Sequence, residues 1–151
     1  MLQNQTNQPL PRRANLIKKT LFAYTISLPP TANTRVGALI TDRRGLPIAF
    51  GHNQYKTSPF QARFGRNSDS IFLHAETDCI KNALNSLSSP NPDLSSYYLW
   101  ILRVKKAHPH GPFIPALSAP CLGCQRAIVT FNLRRVYYTN TLGDFARLTT
   151  G

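Results

Sequence analysis

His74-Ala75-Glu76, taken together with Pro120-Cys121-Leu122-Gly123-Cys124, decides how this chain is to be read. One imidazole and two thiolates can fill three corners of a tetrahedron around a zinc ion. The fourth corner stays open for water, the arrangement of a catalytic rather than a structural site. Zinc held in this way lowers the pKa of its water toward neutrality and makes a hydroxide nucleophile available. Glu76 stands two residues beyond the His, near enough to handle the water's protons without serving as a ligand. Two residues separate Cys121 from Cys124, so one helical turn presents both sulfurs to the same ion. Pro120 suits a helix start, where the N–H it lacks would have no partner anyway. The plain alternative is a helix-capping His and two buried cysteines.

The elements around these residues follow from periodicity. From Leu73 to about Leu87, the residues Ala75, Cys79, Ile80, Ala83, Leu84 and Leu87 recur at helical spacing, with His74 and Glu76 in the first turn. Cys79 is turned about 140° around the helix from His74 and reads as a small core residue. Tyr97 to Val104, YYLWILRV, is a continuous apolar run, the signature of a central strand buried on both faces, which makes Trp100 core. Pro120 to Phe131 reads as a second helix carrying Cys121 and Cys124 in its first turn. Both halves of the candidate site thus fall at helix N-termini, whose positive ends favour thiolate over thiol.

Further out, a polar tail is expected to be disordered to about residue 11, followed by one domain over 12–151. Leu16, Ile17, Leu21, Phe22 and Ile26 predict an amphipathic first helix, ended by Pro29-Pro30. Residues 35–40 and 47–51 predict a hairpin around Asp42-Arg43-Arg44-Gly45, which delivers His52 and Asn53 to the end of its second strand. His52 is a candidate substrate contact. Residues 55–72 lack clean periodicity and interleave Lys56, Arg63 and Arg66 with Tyr55, Phe60 and Phe64. Cations beside rings suit a nucleotide; an irregular loop anchored by its two Phe side chains is the other reading. Ser88 to Pro92 is a surface connection. Lys105 to Ala119 holds His108, His110 and three prolines, excludes regular helix, and reads as a lid over a pocket or a harmless excursion. His108 and His110 are weak candidates for a second metal site. Arg126 lies beside the start of the second helix, and facing water is the plain alternative for it. Arg135 to Thr139 is the last strand, with its two Tyr on opposite faces. The tail allows a short helix anchored by Leu142, Phe145 and Leu148. The order α-β-β-α-β-α-β-α predicts a sheet with helices over it.

With 151 residues and 42% hydrophobic content, the chain fits one globular domain. Three cysteines, two of them assigned to the metal, leave Cys79 unpaired and argue for a reducing, cytoplasmic setting. Residues 1–11 have no apolar core for a secretory signal, and no apolar run approaches a membrane span. Eighteen Lys and Arg against six Asp and Glu give a formal net charge of +12. Such a surface attracts nucleotides or nucleic acid, or simply keeps the protein soluble. The doublets Arg12-Arg13, Lys18-Lys19, Arg43-Arg44, Lys105-Lys106 and Arg134-Arg135 disperse this charge along the chain.

The H-x-E and P-C-x-x-C pair resembles the zinc-dependent cytidine and deoxycytidylate deaminases. Lys56-Thr57-Ser58-Pro59 further resembles phage-type members. The resemblance spans roughly residues 33–140 and implies a three-layer α/β/α fold with a central mixed sheet. It implies Zn2+ on His74, Cys121 and Cys124, with Glu76 shuttling protons from water to the ring N3 and the leaving amine. It places Asn53 against the sugar or base; a turn-forming Asn is the alternative. The Ala75 N–H would meet the base carbonyl, and the carbonyl of Ser118 or Ala119 would accept from the amine. The 47 positions from His74 to Cys121 exceed what compact members show.

The substrate expected first is a free cytosine nucleotide, its phosphate gripped by Lys56, Arg63 or Arg66. The alternatives are cytosine or adenine within single-stranded DNA or RNA, and a zinc-stabilised nucleic-acid-binding protein without catalysis. A homo-oligomer is expected from the resemblance, and no membrane partner is.

Overall fold

A computed structural model describes residues 9–29, 34–54, 58–64, 74–88 and 93–149. Its elements are α1 (Ala14–Ile26), β1 (Thr34–Thr41), β2 (Pro47–His52), α2 (Pro59–Phe64), α3 (Ala75–Leu87), β3 (Tyr98–Lys106), β4 (Phe113–Ala116), α4 (Leu122–Thr130), β5 (Arg135–Thr139) and β6 (Phe145–Leu148).

β3 is the axis of the sheet. It pairs antiparallel with the whole of β1, from Tyr98 against Thr41 to Lys105 against Thr34. On its other side it pairs parallel with β5 over its first half and antiparallel with β4 over its last four residues. The order β2-β1-β3-β5-β6, with β4 off that path, makes the expected mixed sheet. Period-two alternation sends Leu99 and Ile101 to one face and Trp100, Leu102 and Val104 to the other. The first face packs on α3 and α4 through Cys79, Ile80, Ala83, Ala127 and Ile128. The second packs on α1 through Ala14, Ile17 and Leu21. The three layers that the resemblance implies are therefore present. Trp100 is fully buried, stacked on Tyr137 at 4.5 Å, its Nε1 donating to Thr41 Oγ1 at 3.0 Å. Tyr137 and Tyr138 occupy opposite cores, as alternation requires.

Two stretches differ from expectation. The segment 105–119 is not a lid: β4 folds back onto the end of β3, reversing over residues 107–112 with Gly111 N donating to His108 O at 2.8 Å. The tail is not a helix. β6 pairs with β5, and Leu142 is 84% exposed rather than an anchor, while Phe145 and Leu148 are buried as expected. The turn between them is readable after the fact. Asn140 Oδ1 accepts from the amides of Leu142 and Asp144, and Gly143 takes a φ of +80°. An Asn followed three residues later by Gly is hairpin chemistry that outweighed the spacing of three apolar residues.

α3 is fixed to the edge strand β2 at several points. Cys79 Sγ donates to Ala49 O at 3.3 Å, Asn82 Nδ2 to Phe50 O at 2.9 Å, and His52 N to Asp78 Oδ2 at 3.0 Å. Gly51 lies directly beneath the helix. A Cβ there would stand 2.6 Å from Ala75 O and 2.7 Å from Cys79 Cα, both backbone atoms that cannot swing aside. Gly51→Ala is therefore expected to lower stability by about 2 kcal/mol or more through overpacking, whereas Leu142→Ser should stay within about 0.5 kcal/mol; urea unfolding of both variants checks the pair.

Candidate metal centre

The N-cap residues of α3 and α4 meet. His74 caps α3 and Cys121 caps α4, one residue earlier in each helix than the first turn assigned from the sequence. His74 Nδ1 lies 3.5 Å from Cys121 Sγ and 3.3 Å from Cys124 Sγ. The three ligand atoms all fall within 4.8 Å of one another, and among the described residues no other such group exists. A tetrahedral zinc with bonds of about 2.3 Å to sulfur and about 2.0–2.1 Å to nitrogen separates N from S by about 3.5 Å. The donor set fits zinc in both chemistry and spacing. His108 and His110 lie exposed on the β3–β4 turn and join no such cluster.

The electrostatics without metal show how tightly the cluster is coupled. The Cys121 thiol is drawn down to about 4, chiefly by the hydrogen bond from Cys124, with His74 and the Cys124 amide adding to it against burial. Cys124 is raised well above an ordinary thiol, first by that same bond and then by burial. The imidazole of His74 is raised by its bond to Cys121, against burial. Glu76 is 6% exposed, and burial raises its carboxyl, while a backbone hydrogen bond at Glu76 and, to a lesser extent, the His74 charge and the Cys124 side chain work the other way. A dication among these groups would favour the deprotonated form of each: thiolate, carboxylate and neutral imidazole.

The other expected site residues divide. Asn53 extends the hairpin: its amide donates to Val36 O at 3.2 Å and its Oδ1 accepts from Val36 N at 3.0 Å, so its Nδ2 hydrogens are what it can offer a ligand. Ala75 is the first residue of α3, where backbone N–H groups have no intrahelical acceptor. Ser118 is buried; its Oγ donates to Ile101 O at 3.0 Å and accepts from Thr139 N at 2.8 Å. Arg63 is exposed on α2, its guanidinium 5.1 Å from the Phe64 ring centroid. Lys56 and Arg66 lie outside the described residues.

Residues 59–64 form a short helix where the sequence suggested an irregular segment. Phe60 and Phe64 pack on Phe131, with ring centroids 6.0 and 6.2 Å apart, so these two rings anchor the segment instead of stacking on a base. His52 is held by Tyr24 Oη at 3.1 Å and joins no ligand cluster. Arg126 does not simply face water: its Nη1 donates to Phe64 O at 2.7 Å and ties α4 to α2. Gln61 has no exposed surface, and its Oε1 accepts from His74 N at 3.1 Å. Nothing in the sequence marks it, because six residues are too few to show a period.

Residues 13–140 match the cytidine and deoxycytidylate deaminase zinc-binding region. The chain belongs to this family of zinc-dependent hydrolytic deaminases. Among solved structures, it is similar to the cytidine deaminase from Burkholderia pseudomallei, at 19% identity over 89% of this chain and 91% of that one, with a TM-score of 0.55. It is also similar to the dCMP deaminase from the cyanophage S-TIM5 in complex with dCMP and dUMP, at 20% identity over 89% of this chain and 85% of that one, with a TM-score of 0.52. At these identities the likeness is one of fold. No curated protein matches in sequence. No helix among the described residues is long and apolar enough to cross a membrane.

The purified protein is expected to carry one zinc per chain. Cys121→Ser or Cys124→Ser should weaken zinc by at least the ~100-fold that disturbing an outer shell can cost, and should lower the melting temperature as well. Metal analysis and thermal unfolding read both.

Proposed function

We propose that the protein deaminates a free cytosine nucleotide to the uracil form, with Glu76 moving the protons. The observation that carries this reading is the buried Glu76 carboxyl beside Cys124, two positions after His74 and at the positive end of α3. His74, Cys121 and Cys124 would hold zinc, which would supply Lewis acidity and lower the pKa of a water. The net reaction consumes one water and releases ammonia. Glu76 accepts a proton from the attacking water as the C4–O bond forms, passes it to ring N3, and carries the second proton to the amine as the C4–N bond breaks. Burial brings its carboxyl nearer to neutrality, which suits a group that must both take and give. The Ala75 N–H holds the base carbonyl, the carbonyl of Ser118 or Ala119 accepts from the amine, and the Asn53 side-chain amide meets the sugar or the base.

The placement of charge supports a nucleotide over a strand. Arg12, Arg13, Arg43 and Arg44 line a common cavity of about 290 Å³ with Tyr98. That cavity sits on the α1 side of the sheet, at the β1–β2 turn, while α3 begins at the other end of β2. Six strand residues alone span about 17 Å, so these arginines are too far away to hold a phosphate of the base being deaminated. The phosphate grip is assigned to Arg63, with Lys56 and Arg66. The fold shared with a dCMP deaminase whose structure holds dCMP and dUMP agrees with this substrate class. The three free thiols fit a reducing cytoplasm.

Glu76→Gln should retain zinc and lose about 10²–10⁴-fold in kcat, read as loss of the mass gain of about one dalton that marks amine-to-carbonyl exchange. Turnover of the free nucleotide should depend weakly on salt. If single strands alone are deaminated, with log affinity falling by about 0.7 per phosphate contact, the strand-directed reading replaces this one.

A further inference from the structure

Gln61 makes contacts that a six-residue surface helix does not need. It is a carboxamide with no exposed surface, set between Phe60 and Phe64 on α2. Its Oε1 accepts two hydrogens, one from the backbone N–H of His74 and one from the hydroxyl of Thr77. The first donor fixes the amide orientation, because only the oxygen can receive an N–H.

The N-terminus of α3 depends on this contact. The N–H of His74 precedes the helix and has no carbonyl within it to meet. An N-cap side chain ordinarily folds back to accept from the first turn. The His74 side chain makes no such bond and is turned instead toward Cys121 and Cys124. Gln61 ties the same backbone from outside, and Thr77, whose single hydroxyl hydrogen goes to Gln61 Oε1 and whose Oγ1 lies 3.2 Å from His74 O, braces the amide from the helix side. α2 is attached to the other half of the site as well. Arg126, two residues past Cys124, donates to Phe64 O, and both Phe rings of α2 pack on Phe131 just past α4. One short helix thus bears on both helices that carry the ligands.

We propose that Gln61 is a positioning residue of the metal centre: its carboxamide oxygen fixes the His74 backbone, and through it the aim of the imidazole and the placement of Glu76. The inference rests on His74, Cys121 and Cys124 being the zinc ligands. Outer partners of this kind commonly hold a ligand's orientation, and their loss costs about 10–100-fold in metal affinity or activity.

The test uses the zinc-loaded, full-length protein and follows metal release to a chromogenic chelator alongside nucleotide turnover. Gln61→Met keeps the length and removes the acceptor. It should release zinc about 10–100-fold faster and lose kcat by a similar factor, with KM within about two-fold. Gln61→Glu keeps the acceptor and should restore release to within about three-fold of wild type. Phe64→Leu, which loosens α2 without touching the hydrogen bonds, should lower the melting temperature and leave release unchanged. Should Gln61→Met fail to fold, Thr77→Val removes one of the two bonds to Oε1 and is expected to speed release by about three-fold or more. Wild-type release from Gln61→Met, or from Thr77→Val where Gln61→Met does not fold, overturns the proposal. So does equal acceleration by Phe64→Leu. A wild-type protein that holds no zinc overturns the ligand assignment itself, an outcome that metal analysis separates from the others.

Discussion

The close approach of α3 to the edge strand β2, possible only because Gly51 has no side chain, is the constraint on which the rest of the site depends. Backbone atoms of Ala75 and Cys79 occupy the space a Cβ would need. A helix laid this near a strand is fixed in height, and the bonds from Cys79, Asn82 and His52 fix its slide and its turn. Its N-terminus then has one place to be. His74 and Glu76 sit there, one half-exposed and reaching the sulfurs, the other buried behind them. The same rigidity allows a carboxyl to be held out of water without losing its position.

α4 reaches the same point by a different route. β3 and β5 are parallel neighbours, so the chain between them must return along the sheet, and α4 belongs to that return. β4 takes up part of the path first by folding back on β3. Ser118 then locks to Ile101 and Thr139 just ahead of Pro120. The long interval between His74 and Cys121 is therefore a strand and its turn inserted ahead of α4, and it leaves the position of the cysteines to the sheet. α2 closes the arrangement from the side.

The positive charge serves two regions that the fold keeps apart. Of six acids, Glu76 and Asp78 are buried near the centre, Asp42 accepts from the amides of its own turn, and Asp144 faces Lys18. Few carboxylates remain for the arginines around the β1–β2 turn. That region stays electropositive, as a surface that draws in anionic substrates from a distance. Arg63 stands on α2, on the side of the metal centre.

The sequence by itself determined which His and two Cys come together, the candidate acid-base residue beside them, the two helix N-termini and the buried central strand. Each of these is local: H-A-E and P-C-x-x-C are read within one helical turn, and YYLWILRV declares its burial in its own composition. Trp100, Tyr137, Tyr138 and Cys79 were legible for the same reason, since a two-fold or 3.6-fold period assigns a face without knowledge of its partner. The tertiary structure alone decided what covers a face and what bonds across a gap. Four-residue strands such as β4 and β6 carry too little period to be seen, and exist because β3 and β5 offer them open edges. Phe60 and Phe64 look like nucleotide-stacking rings until Phe131 is found beneath them. Gln61 bonds His74 across thirteen positions, and Arg126 meets Phe64 across sixty-two. Such contacts leave no mark in the sequence, because a hydrogen bond to a backbone atom asks nothing of the identity of the residue that bears it.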